Sequence, residues 1–161
     1  MIALRPTLGF AFSHPAHAIA FGFGAGLSPF APGTAGSALG WAIGSALAAV
    51  NPWVFFLVVI VLFFAGLWAC EITGRHLGVA DHGSMVWDEV VAFLLVLAVV
   101  PRELAWQAAA FVLFRFVDIA KPPPIRQLEW RYGGGFGVMF DDIVAAAYTL
   151  LALAVVKRAF F

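Results

Sequence analysis

The sequence predicts an all-α fold: a polytopic membrane bundle of about five spanning helices, with a re-entrant or interfacial segment ahead of them. Three observations point there. The 161 residues are 63% hydrophobic and 11% charged, with mean hydropathy +0.98, whereas a soluble domain is about half apolar and about a quarter charged. Several apolar runs approach the roughly twenty residues that a helix needs to cross hydrocarbon. Pro52 and Pro101 punctuate short connections between those runs. Residues 1–161 are read as one domain, with no fixed-period repeat and no low-complexity tract.

In chain order, Arg5, "LGFAF" and "AHA" at 16–18 imitate a signal peptide. The apolar piece is too short for one, and Pro6, His14 and Pro15 interrupt it. Residues 17–27, "HAIAFGFGAGL", are too few to span and are assigned to the re-entrant or interfacial piece. The first span is 34–50, with Thr34 as its expected N-cap. Its Gly36, Gly40 and Gly44 recur every fourth residue, a spacing that lets helix backbones approach closely in lipid. The remaining spans are 52–70, 85–100, 103–120 and 141–156. Six tryptophans (Trp41, Trp53, Trp68, Trp87, Trp106 and Trp130) mostly fall near predicted helix ends, as interfacial anchors do.

With this topology the three long connections, 1–33, 71–84 and 121–140, share one side. Arg5, Arg75, Lys121, Arg126 and Arg131 lie there, against Arg102, Lys157 and Arg158 opposite. The positive-inside rule then makes that side cytoplasmic. Nine acids balance nine bases, so there is no basic field for nucleic acid. The single cysteine, Cys70, excludes an internal disulfide framework. Nothing in the sequence fixes the oligomeric state.

The acids gather on the same side. Asp88 and Glu89 open the third span, Asp118 closes the fourth, and Asp141 and Asp142 open the fifth. Acids in a first helical turn complement the helix dipole, which accounts for either pair alone; it does not account for Asp118, at a C-terminus where an acid is disfavoured. Arg115 and Asp118, at i and i+3, share a face, and one further turn brings Lys121 there before "KPPPI" stops the helix. Five carboxylates cannot all ionise close together without positive charge among them. Oxygen donors without cysteine point to Mg²⁺ or Mn²⁺ rather than zinc. The glycine-rich stretches 22–37 and 132–142 flank the acids, and Ser28 and Thr34 are candidate phosphate contacts.

Other chemistries leave no trace. There is no P-loop or dinucleotide fingerprint. Cys70 and Arg75 are one residue short of a C-x5-R loop, and the four histidines lack the spacing of a histidine-based lipid phosphatase. His82 is read as either a proton shuttle or an ordinary loop residue. A CDP-alcohol phosphotransferase would concentrate its aspartates in one run, whereas these are dispersed. A small ion-coupled transporter would carry them near mid-bilayer rather than at helix ends.

Four stretches in order, "GFGAGLSPFAPGTAGS", "DHGSMVWDEVVAF", "FRFVDIAKPPPI" and "GGFGVMFDDIVAA", resemble the phosphatidylglycerophosphatase A family over about residues 20–147. The resemblance implies an Mg²⁺-dependent phosphatase of the bacterial inner membrane, acting on a phospholipid, phosphatidylglycerophosphate, to give phosphatidylglycerol. It places the family's acidic pair on Asp88 and Glu89. The R-x-x-D-x-x-K-P-x-P pattern falls on Arg115, Asp118, Lys121, Pro122 and Pro124, and the closing acids on Asp141 and Asp142. The five acids are the implied catalytic and metal-binding set. Arg115 and Lys121, with Ser28 and Thr34, are the substrate-phosphate set. Ala92 and Ala146 depart from glycines frequent in the family, at positions where helix packing rather than chemistry is concerned.

Overall fold

A computed structural model describes residues 6–123, 125 and 132–160. Arg5, Pro124, Arg126, Trp130 and Arg131, named above, lie outside the described residues. Among the described residues every regular element is helical. Two short helices, α1 (Leu8–Ala11) and α2 (Pro15–Ala20), precede a 3₁₀ segment, Gly22–Leu27. Five longer helices follow: α3 (Pro32–Ala46), α4 (Pro52–Leu77), α5 (Trp87–Val99), α6 (Leu104–Ala120) and α7 (Gly134–Phe160).

The helix boundaries have local causes. Asn51 caps α4 by accepting from Trp53 N at 2.9 Å, Pro52 fits the first turn, and Gly78 ends the helix in the left-handed region at φ 71°. Lys121 closes α6 in the left-handed region, φ 41°, so the helix stops before Lys121 can join the Arg115–Asp118 face. The N-cap of α3 is Ala31, φ 46°, with Pro32 in the first turn; Thr34 lies inside the helix and is not its cap.

Two predicted boundaries are corrected more strongly. The span predicted at 52–70 runs on to Leu77. Its polar extension is stabilised by protein contacts, including an Arg75–Glu71 ion pair at 2.7 Å, which hydropathy does not register. The span predicted at 141–156 begins at Gly134. Asp141 and Asp142 therefore lie two turns inside α7 rather than at its start.

Pro52–Leu77 and Gly134–Ala159 are each 26 residues, with mean hydropathy 2.7 and 1.8, and are long and apolar enough to cross a membrane. On α4 the exposed Val54, Leu57, Val61, Phe64 and Trp68 form one stripe at helical spacing, the face expected toward lipid. The other helices are shorter. At about 1.5 Å per residue α5 is about 20 Å long, less than the roughly 30 Å of hydrocarbon. It lies at the centre of the bundle, touching α3, α4, α6 and α7, with Val90 to Leu94 all buried. The glycine row of α3 faces it: a Cβ at Gly36 would meet Val86 Cβ at 2.7 Å, and one at Gly40 would meet Val90 O at 2.7 Å. Ala92 and Ala146 are both fully buried in the core that joins α5, α6 and α7. Methyl groups are thus accommodated at both positions.

The tryptophans divide. Trp53 and Trp68 are exposed, as anchors should be. Trp87 is buried and donates from Nε1 to Leu62 O at 3.1 Å, and Trp41 donates to Gln107 Oε1 at 2.7 Å, so these two pack helices together. His82 is a turn residue, its Nδ1 accepting from Ser84 N at 3.1 Å.

Candidate active site

The order of the long helices brings the starts of α3, α5 and α7 and the ends of α4 and α6 to one end of the bundle. Asp88 and Glu89 occupy the first turn of α5, where the positive end of the helix dipole favours carboxylates. Asp142 reaches them from α7. Single oxygens of Asp88, Glu89 and Asp142 lie within 4.8 Å of one another. Asp88 and Asp142 are 7% and 3% exposed, so these charges have largely left water. Buried polar atoms normally find partners. Here Asp88 Oδ1, Glu89 Oε2 and Asp142 Oδ2 have none within the protein, and neither does Arg115 Nε beside them.

The cations sit on the rim of this cluster. Arg115, on α6, places Nη1 2.8 Å from Asp118 Oδ2, 3.7 Å from Glu89 Oε1 and 3.3 Å from Ser37 Oγ. The fully buried Ser37 in turn donates to Gly33 O at 3.0 Å. Gly33, in the first turn of α3, lies against the same groups: a Cβ there would fall on Glu89 Oε1 and within 2.7 Å of Arg115 Nη2. Lys121 Nζ is 2.8 Å from Asp141 Oδ2. Asp141 Oδ1 also accepts from Asp142 N at 3.1 Å.

The predicted site residues therefore fall into groups. Asp88, Glu89 and Asp142 converge with open oxygens. Asp118 is held by Arg115, and Asp141 by Lys121. Ser28 turns back on its own loop, its hydroxyl donating to Phe30 O at 2.8 Å. Thr34 is partly buried beside Gly33. Sequence reading missed Ser37, although it stands one turn beyond Gly33 on the glycine-bearing face that meets α5.

The donor set is chemically specific. Three carboxylates with free, buried oxygens and no sulfur or imidazole match a hard divalent cation such as Mg²⁺, and the positive charge of such an ion would offset the burial of three acids. Arg115 lies beside the cluster with a planar fork suited to phosphoryl oxygens.

The family model for phosphatidylglycerophosphatase A matches residues 18–157. This chain belongs to the phosphatidylglycerophosphatase A family. It is 44% identical over 147 residues to the phosphatidylglycerophosphatase A of Haemophilus influenzae, covering 89% of this chain and 90% of that protein. It is 43% identical over 138 residues to the Escherichia coli phosphatidylglycerophosphatase A, covering 83% of this chain and 78% of that protein. A Bacteroides thetaiotaomicron relative, 40% identical over 147 residues that cover 86% of this chain and 91% of that protein, is named provisionally as a phosphatidylinositol-3-phosphatase. No solved structure matches the chain significantly. All the residues of the acid and cation cluster lie within the span that matches phosphatidylglycerophosphatase A. Two helices long and apolar enough to cross a bilayer, in a chain of this family, suggest a membrane protein.

Proposed function

We propose that this single-domain protein is an Mg²⁺-dependent phosphatase that hydrolyses phosphatidylglycerophosphate to phosphatidylglycerol and inorganic phosphate at the cytoplasmic face of the bacterial inner membrane. The observation that carries the reading is the set of open, buried oxygens on Asp88, Glu89 and Asp142 beside Arg115, in a chain of this family. Those three carboxylates would hold the ion. When bound, Mg²⁺ supplies positive charge to the phosphoryl oxygens and acidity to a water molecule.

The protein's own groups supply the rest. Arg115 binds the phosphate through its fork, anchored from behind by Asp118 and Ser37. Lys121 adds charge from the end of α6, Ser28 lies on the segment that brings the chain to α3, and Thr34 lies in the first turn of that helix. An oxygen of Asp88 or Glu89 takes a proton from the attacking water. The water oxygen bonds to phosphorus, the bond from phosphorus to the glycerol oxygen breaks, and the same carboxyl group passes the proton it took to that leaving oxygen. Positioning and charge stabilisation carry most of the acceleration.

The five long helices would each traverse the bilayer, α5 shielded by its neighbours from the full hydrocarbon thickness. Asp142 lies eight residues into α7, about 12 Å at 1.5 Å per residue. The acids then sit at the depth where a lipid headgroup meets water. Arg75 and Lys121 at that end support a cytoplasmic orientation.

The direct test is phosphate release by the purified protein in detergent with phosphatidylglycerophosphate, with Mg²⁺ or EDTA. Phosphatidylinositol 3-phosphate serves as a second substrate. Mg²⁺-dependent release that favours phosphatidylglycerophosphate is expected. No release from a folded sample contradicts the reading, and a preference for the inositol lipid contradicts its substrate.

A further inference from the structure

We infer that Glu71 is a positioning residue that sets the rotation of α7 and so brings Asp142 to Asp88 and Glu89. The inference deepens the proposed function and rests on it only in treating those three acids as the metal site. Glu71 lies near the end of α4, six residues before that helix stops. Its Oε2 accepts from Gly135 N at 2.7 Å, in the first turn of α7. The first N–H groups of a helix have no partner within it, so a carboxylate from another helix both satisfies one and complements the dipole. Glu71 is itself fixed. Its Oε1 accepts from Arg75 Nε at 2.8 Å and pairs with Arg75 Nη2 at 2.7 Å.

Helical geometry carries this contact to the site. Gly135, Met139 and Asp142 are spaced by four and three residues, so they share one face of α7. At Gly135 the backbones of α4 and α7 are so close that a Cβ would fall on Leu67 O and 2.8 Å from Glu71 N. One turn on, Met139 fills the space over Gly66, where an added Cβ would lie 2.7 Å from the methionine sulfur and from Trp87 Cδ1. Three residues further, the same face presents Asp142 to the acids of α5. The contact at Gly135 is the polar, directional one of the three, and it fixes which way the face points. A rotation by one residue, about 100°, would aim Asp141 or Ile143 at Asp88 instead. Glu71 touches none of the reacting groups.

The test uses the full-length protein in detergent, with Mn²⁺ affinity read by electron paramagnetic resonance and amide exchange read over residues 135–142. Glu71→Ala is expected to weaken Mn²⁺ binding by about tenfold and to speed exchange across that segment. Glu71→Gln keeps an acceptor for Gly135 N and is expected to restore both to near the wild-type values. Unchanged Mn²⁺ affinity in Glu71→Ala with faster exchange would show a cap without a positioning role and overturn the inference. Equal losses in the Ala and Gln variants would overturn it too. A wild type that binds no Mn²⁺ would remove the metal reading. Crosslinking between Asp88→Cys and Asp142→Cys, with and without Glu71→Ala, then reads the rotation of α7 directly: slower crosslinking with Glu71→Ala is expected, and equal crosslinking overturns the inference.

Discussion

Asp141 and Asp142 are consecutive, of the same charge and about equally buried, yet the fold gives them opposite partners. Asp141 accepts from Lys121 at the end of α6. Asp142 turns toward two further carboxylates and leaves an oxygen open. The cause is helical geometry: successive residues are about 100° apart around the axis, so the two carboxylates leave α7 in different directions and meet different neighbours. One aspartate is neutralised within the protein. The other sits where the fold gathers negative charge without cancelling it. Such an arrangement is costly unless a ligand completes it, because breaking or omitting a partner of a buried charge costs about 3–5 kcal/mol.

Removing each charge in turn should sharpen that contrast. Asp142→Asn is expected to lower phosphate release by a hundredfold or more, since it removes an open oxygen from the proposed metal site, whereas Asp141→Asn should cost about tenfold. Initial rates at saturating Mg²⁺ check this, and equal losses would erase the distinction between the two. Arg115→Lys comes next. It keeps the charge but loses the planar fork, of which Nη1 alone meets Asp118, Glu89 and Ser37. A loss of about tenfold to thirtyfold in kcat/KM for the lipid is expected, and little change in Mn²⁺ affinity. Gly33→Ala should have a smaller effect, about fivefold to tenfold on the same rate, because Glu89 and Arg115 must give way to the new methyl group.

The smallest effect lies outside the site, in the N-terminal pair α1–α2. His17 is buried there, its Nδ1 3.1 Å from Phe10 O and its Nε2 2.8 Å from His76 Nδ1, with His14 beside both rings. A carbonyl can only accept, so Nδ1–H donates to Phe10 O and Nε2 accepts from His76. Burial pushes the His17 imidazole below its ordinary value of 6.5, against the opposing bond to Phe10 O, and the neighbouring His76 and His14 push the same way as burial. The unfolded chain then binds the proton more readily than the folded one, so stability rises with pH through this window. The contribution is present above about pH 6.5 and declines below it. Thermal unfolding of the wild type should show that loss between pH 7 and pH 5, and His17→Phe should flatten it.

Much of this was legible from the chain. Apolar runs gave the five long helices, and the glycine row of α3 packs on α5 as its spacing implied. Asp88, Glu89 and Asp118 lie in the helical turns expected of them. The start of α7 was not legible, because "GGGFG" reads as loop by propensity. Close packing on α4 outweighs that cost at Gly135, and no local pattern records it. The polar end of α4 was missed for a related reason: Thr73 is buried in protein and Glu71 meets the start of α7, neither of which hydropathy registers. The division of the acids into neutralised and open depends on helix rotation and on where α6 stops, which are tertiary facts. Ser37 looked like one more small residue in a small-residue helix, and its bond to Arg115 crosses 78 positions of sequence.

The central claim is that the open acids, and not the neutralised ones, hold the divalent ion. The most direct measurement is Mn²⁺ affinity by electron paramagnetic resonance for the wild type, Asp142→Asn and Asp141→Asn, purified in the same detergent. The account predicts that Asp142→Asn weakens binding by at least a hundredfold while Asp141→Asn stays within about threefold of the wild type. Retained binding in Asp142→Asn, or a loss confined to Asp141→Asn, would contradict it.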